Sequence, residues 1–214
     1  MAPGAEEAGR PGGAPVPRRV RADDVPTLVE VLARAFDDDP VPRWLFRGDR
    51  RRRRALRRFF GVQLRHVYLD HGEVWTTEDR AGAALWAPPG TTRPGWRDMV
   101  RLLSLAPALA RMGGDAPEAL RLLGAVDRAR PRVPHWYLAT LGTDPARQGR
   151  GVGSSLLQAG LARVDEEGLP THLESSKERN LPFYGRHGFA VTGEIRAPGG
   201  PTLWLMWREP RPPG

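Results

Sequence analysis

Residues 141–153 read Leu-Gly-Thr-Asp-Pro-Ala-Arg-Gln-Gly-Arg-Gly-Val-Gly. A β-like run, Trp136 to Leu141, leads in, and Asp144-Pro145 marks a turn. Glycines then alternate at Gly149, Gly151 and Gly153. A helical period starts at once with Ser154, Leu156, Leu157, Leu161 and Val164. Strand, glycine loop and helix start together form a device for holding phosphate. Glycines let the backbone come close, and the free N–H groups of a helix start point at the anion.

Two better-known phosphate loops can be compared with this one. In a dinucleotide-binding G-x-G-x-x-G the third glycine falls at Ser154, so Gly153 is one residue early. Glu174 stands as the ribose-binding acid for that alternative, but the loop lies late in the chain, without two βαβαβ halves. A P-loop needs Gly-Lys-Ser/Thr, which is missing.

Outward from the loop, the pattern predicts a strand at 16–21 and a helix capped by Asp23 or Asp24 that runs through Phe36. Leu28, Val31, Leu32 and Ala35 form its inward stripe, and Asp37-Asp38-Asp39-Pro40 ends it. An arginine-rich helix is expected over 49–69. Strands at 73–77 and 83–87 flank a hairpin turn at 79–82. Helical patterns follow at 96–112 and 117–130, broken at Gly113-Gly114. After the loop come a helix to about Glu167, a strand at 171–175, a short helix at 181–187 and strands at 189–195 and 202–207. The expected organisation is one mixed α/β domain over 16–209, with mobile segments at 1–15 and 210–214.

Composition narrows the chemistry. The 214 residues contain no cysteine, which excludes disulfides, thiolate catalysis and cysteine–zinc sites. No signal-peptide pattern or membrane-crossing run is visible, so a cytoplasmic location is expected. The net charge of +8 invites a nucleic-acid reading. Yet Lys177 is the only lysine, and the densest arginine run, 50–54 with Arg57 and Arg58, shares an amphipathic pattern with Leu56, Phe59, Phe60 and Leu64. That reads as a solvated helix face, with attraction of an anionic cofactor as the next choice. Basic and aromatic residues are not interleaved as a nucleic-acid surface would have them. The five histidines show no pair at metal-ligand spacing, and no metal is expected.

The spacing Gln148-x-x-Gly151-x-Gly153 resembles the acetyl-CoA motif of the GNAT superfamily of N-acetyltransferases. Leu173-Glu174-Ser175-Ser176, Arg179-Asn-Leu-Pro-Phe-Tyr184 and His187-Gly-Phe189 follow in the order of that family. Within it, Leu138-Ala-Thr140, Asp144-Pro145, Gln148-Gly149, Leu173-Glu174 and 179–184 resemble the puromycin N-acetyltransferases most. In the N-terminal half only Asp24-Val-Pro26 and Ala35-Phe36 do so clearly.

The resemblance implies a mixed sheet of about six to seven strands, flanked by helices and splayed at the cofactor strand, with acetyl-CoA bound by residues 134–209. Leu141, Gly142 and Thr143 would lie along the pantetheine and polarise the thioester carbonyl. Gln148, Gly149, Arg150, Gly151, Val152, Gly153 and Ser154 would take the diphosphate. Asn180 matches a coenzyme-contacting position, though it could equally cap a helix. Tyr184 matches the tyrosine that protonates the departing thiolate, although a core role beside Phe183 and Phe189 also suits it. Glu174 is the candidate base, directly or through water, unless it only pairs with an arginine. Asp38, in the loop that borders the family's acceptor cleft, and Trp86, as an aromatic wall, are candidate substrate contacts.

The acceptor implied is a primary amine on a small molecule, such as an aminonucleoside or another antibiotic, acetylated directly in a ternary complex. A protein N-acetyltransferase, a non-catalytic acyl-CoA sensor and a nucleic-acid-binding protein are the alternatives. Monomer and homodimer stay open.

Overall fold

Gly82–Ala87 is a run of small and apolar residues, and all six are buried, as a strand covered on both faces requires. The computed structural model, which describes residues 15–71, 73–91 and 116–211, places this strand third from one edge of a seven-stranded sheet. The strands are β1 (Pro17–Arg19), β2 (Val74–Thr77), β3 (Gly82–Ala87), β4 (Trp136–Thr143), β5 (Thr171–Ser175), β6 (Ala190–Arg196) and β7 (Thr202–Arg208). Their order is β1-β2-β3-β4-β5-β7-β6. Every neighbouring pair is antiparallel except β4 and β5.

The α-helices among the described residues are α1 (Val25–Ala35), α2 (Pro40–Leu45), α3 (Asp49–Val62), α4 (Ala116–Ala129), α5 (Val152–Glu166) and α6 (Leu181–Arg186). Alternation along β3 sends Ala83, Leu85 and Ala87 to one face, where Leu28 and Leu32 of α1 and Leu56 and Phe60 of α3 cover them. Ala84 and Trp86 go to the other face, under Leu156, Leu157, Leu161 and Val164 of α5. A side chain of this size contributes about 2 kcal/mol when fully buried. Helix α5 is the crossover that parallel β4 and β5 need, since a hairpin cannot join parallel strands.

The mixed, splayed sheet is present as expected. Several local expectations need correction. Asp24 makes no capping bond to α1; its buried carboxylate accepts from Arg18 (2.7 and 3.0 Å) and Arg80 (2.5 Å) instead. Arg52 is not on a solvated face: it is buried and paired with Asp37 and Asp49. The arginine-rich helix leaves α geometry after Val62, continuing as a π-helical stretch, Gln63–Tyr68, and a 3-10 turn, Leu69–His71. Helix α2 is an addition to the expected elements, and it starts at the proline that closes the aspartate loop. The helix expected over 96–112 and the break at Gly113-Gly114 lie outside the described residues.

Candidate active site

Strands β4 and β5 pair only through Trp136↔Thr171 and Tyr137↔His172. Beyond Tyr137 the two strands part, and one edge of β4 is left unpaired. Which amides face that gap follows from register. Thr143 lies opposite Gly82, and Asp144 N donates to Ala81 O (2.8 Å). Alternation in an antiparallel pair then turns the Gly142 N–H toward β3 and those of Leu141 and Thr143 toward the gap. Gly142 serves packing: a Cβ there would sit 2.7 Å from Leu32 Cδ2 and 3.0 Å from Phe36 Cε2 of α1. Of the three residues expected along the pantetheine, two therefore offer amides and the third lets α1 approach.

The glycine loop follows. Asp144 accepts from Ala146 N (3.0 Å) and fixes the turn Pro145–Arg147. Gln148 Nε2 donates to Thr143 O (3.2 Å), which ties the loop back to the strand end. Gly149 (φ 75°) and Gly151 (φ 82°) are left-handed, a conformation that strains residues with a Cβ. Arg150 between them is exposed. The first bond of α5 in the described residues is Ser155 N to Gly151 O (3.0 Å), and no side chain caps the helix. The N–H groups of Val152, Gly153 and Ser154 are thus left for an outside acceptor. Gly153 is not left-handed, and a Cβ there would meet only ordinary contacts, with Phe183 Cζ and Thr143 Oγ1 both at 3.6 Å.

Helix α6 closes this side. Asn180 stands at its N-terminus without making a capping bond, so the capping alternative is not realised. Tyr184 is buried against Phe183 (ring centroids 5.1 Å) and Phe189 (5.9 Å). Among the described residues its hydroxyl has no hydrogen-bond partner. Burial, and then the charge of Asp39, push this hydroxyl well above its ordinary value, so it keeps its proton.

The aspartate triplet separates into three roles. Asp37 pairs with Arg52 and Arg53, each at 3.0 Å. Asp38, half-exposed, pairs with Lys177 and Arg179, each at 2.5 Å. Asp39 is 4% exposed and accepts from Ser176 Oγ (2.5 Å) and from Val41 N (3.0 Å), capping α2. Burial raises the Asp39 carboxyl above its ordinary value, and the Ser176 and Val41 bonds offset this only in part. Of the three, Asp39 is the one whose charge acts on the Tyr184 hydroxyl. The sequence held a cue to it: an aspartate just before Pro40 reads as an N-cap with proline at N1, a fixed carboxylate.

Glu174 lies on the same face of β5 as His172. It accepts from Tyr137 Oη (2.7 Å) and lies 3.1 Å from His172 Nε2. Arg130 stacks on the Tyr137 ring at 4.5 Å, and Tyr68, delivered by the π-helical stretch, adds a second buried phenol. Burial pushes the Glu174 carboxyl up, but His172, Tyr137 and Arg130 outweigh it and hold it below its ordinary value. Trp86 is not a cleft wall. It is 1% exposed, and its indole lies against Gly160 of α5. Sequence reasoning missed Tyr68 and Arg130, and it gave His172 and Ser176, which alternate with Glu174 along β5, no role of their own.

Residues 107–189 match the Acetyltransferase (GNAT) family. An uncharacterised N-acetyltransferase of Schizosaccharomyces pombe is 30% identical over 206 residues, which span 90% of this chain and 83% of that protein. A crystal structure described as histone acetyltransferase HPA2 and related acetyltransferase, from Corynebacterium glutamicum, superposes with a TM-score of 0.70 at 30% identity, covering 94% of this chain and 99% of that one. The polyamine N-acetyltransferase of Drosophila melanogaster shares the fold, with a TM-score of 0.61 at 18% identity over 91% of this chain and 99% of that one.

Proposed function

The chain belongs to the acetyltransferase (GNAT) family, and from that premise we propose that it moves the acetyl group of acetyl-CoA to a primary amine of a small molecule by direct transfer. An aminonucleoside or related antibiotic is the acceptor class suggested by the likeness of 138–149 and 173–189 to the puromycin N-acetyltransferases. The observation that carries the reading is Tyr184, a buried phenol with no hydrogen-bond partner among the described residues, at the side of the site where the glycine loop and α6 meet; the charge of the buried Asp39 also acts on it.

The residues fit the coenzyme: the amides of Leu141 and Thr143 line the gap, and those of Val152, Gly153 and Ser154 point out of the helix start. When bound, acetyl-CoA supplies an acyl group activated as a thioester. Tyr184 Oη carries the proton that a departing thiolate needs. Asp39, rather than Glu174, accepts the proton of the incoming ammonium. Its raised carboxyl suits that transfer, whereas Glu174 is held ionised by its two hydrogen bonds and orients Tyr137 and His172. Free amino groups titrate near ~8, so a modest base suffices and positioning does much of the work.

The test is acetyl-CoA with a panel of small amines, scored by thiol release and product mass. Turnover on small amines is expected. Coenzyme binding without turnover would make the protein a sensor, transfer to protein amino groups alone would move the acceptor class, and no binding would end the coenzyme reading. Tyr184→Phe should lower kcat by about 100-fold and leave coenzyme affinity unchanged. Equal losses in both would make Tyr184 a packing residue.

A further inference from the structure

A cavity of about 290 Å³ opens between α5 and the end of α6, lined by Gln158, Asp165, Arg186, His187, Arg208 and Arg211 among others. Its floor is built. Arg208 is buried and grips Asp165 with two bonds of 2.8 Å, while its Nε donates to His187 O (3.0 Å). Asp165 also accepts from Arg211 N (2.8 Å). The one acidic lining residue is therefore fully engaged. The guanidinium groups of Arg186 and Arg211 carry no hydrogen bond or ion pair among the described residues. His187 shares this lining with Arg186, Arg208 and Arg211, and burial, then the charges of those three cations, hold it below its ordinary value. Such a cavity attracts an anion with several acceptor oxygens.

The cavity adjoins the glycine loop. His187 Nε2 lies 3.3 Å from Ser154 Oγ, in the first turn of α5, and Gln158 stands one turn further along. One turn is about 5 Å. That is the scale on which a phosphate monoester on an adenosine ribose stands off from the diphosphate attached to the same ribose.

We propose that this cavity is a second anion site, which receives the 3′-phosphate of coenzyme A between Arg186 and Arg211 and so selects the phosphorylated coenzyme. The inference rests on the coenzyme reading above. At neutral pH a phosphate monoester bears a charge of about −1.5 to −2, enough for both guanidinium groups.

Calorimetric titration with coenzyme A and with 3′-dephospho-coenzyme A tests the site, in the wild-type chain and in Arg186→Ala/Arg211→Ala. Both arginines are exposed, so the variant should fold, and thermal melting checks that it does. The wild-type chain should bind coenzyme A roughly tenfold more tightly than the dephospho form, as a charge-assisted bond warrants. The double variant should lose that preference and bind the dephospho form as before. Inorganic phosphate should weaken the binding of coenzyme A more than that of the dephospho form, which shares only the diphosphate site. Equal affinity of the wild-type chain for both coenzymes would overturn the proposal. So would a variant that weakens both alike, or phosphate that binds without competing. If neither coenzyme binds, the coenzyme reading itself fails, a separate result.

Discussion

At positions 38, 39 and 174 the chain places three carboxylates whose surroundings push them apart. Asp38 is held below its ordinary value because Lys177 and Arg179 overcome its burial. Asp39 is raised by burial, and Glu174 is lowered by its donors. Opposed environments of this kind assign acid–base roles better than residue type does. Asp39→Asn should lower kcat/KM about 100-fold at neutral pH. In the wild-type chain the rate should rise as Asp39 loses its proton, so the acid limb of the pH profile lies above the ordinary carboxylate value; in the variant that limb should vanish. The sign for stability is opposite. A carboxyl raised in the fold favours folding at low pH and loses that contribution as pH rises through its folded value. The asparagine variant should therefore melt no lower than wild type at neutral pH. An unchanged profile in the folded variant would remove Asp39 from the chemistry, and a lower melting temperature would show that its hydrogen bonds to Ser176 and Val41 outweigh the cost of burial. The sequence displayed the triplet but not this division, because burial and partners from residues 176–179 lie far along the chain. Glu174 and Tyr184 stood out through their motif, and His172 shares a face of β5 with Glu174 by simple alternation; Tyr68 and Arg130 did not stand out, since no local pattern ties them to β5.

Among elements, the loop and α5 were the most legible, because left-handed glycines and a leucine period are both local signals. Less legible was α2, where Pro40-Val41-Pro42 looks like loop sequence, though proline in a first turn costs no hydrogen bond. The π-helical stretch left no trace in the periodicity. Trp86 was misplaced because alternation along β3 says that it is inside or outside, not what covers it. Gly160 of α5 explains the fit: a Cβ there would lie 2.2 Å from Trp86 Cε2. Gly160→Ala should cost about 3 kcal/mol of stability in denaturant unfolding, since overpacking cannot relax against a fully buried indole. Trp86→Leu in the same chain should recover part of that loss, because the two sites share one contact. Additive losses would show that the helix does not seat on Trp86.

On the scale of the whole molecule, the excess of arginine was legible and its purpose was not. Many arginines close ion pairs between distant segments, and Asp24 collects two of them, Arg18 from β1 and Arg80 from the turn after β2. The Arg18 bond above all, with Arg21 N and Arg80, holds the Asp24 carboxyl well below its ordinary value. A depressed carboxyl stabilises the fold above its unfolded value and loses that contribution as pH falls toward its folded one. Asp24→Asn should cost about 3 kcal/mol at neutral pH, because the fully buried carboxylate that gathers Arg18, Arg80 and Arg21 N loses its charge. Stability measured across the acid range should then fall less steeply than in wild type; an equal slope would place the acid sensitivity elsewhere. The order of elements along the chain was readable, whereas the insertion of β7 between β5 and β6 was not, since pairing order is set by long-range contacts. Where β4 and β5 diverge, the sheet keeps a selvage in its own middle. Rims of this sort invite strangers when they lie outermost; here the flanking strands and helices shelter it. A slender guest can lie down along it without any rung of the ladder first being broken.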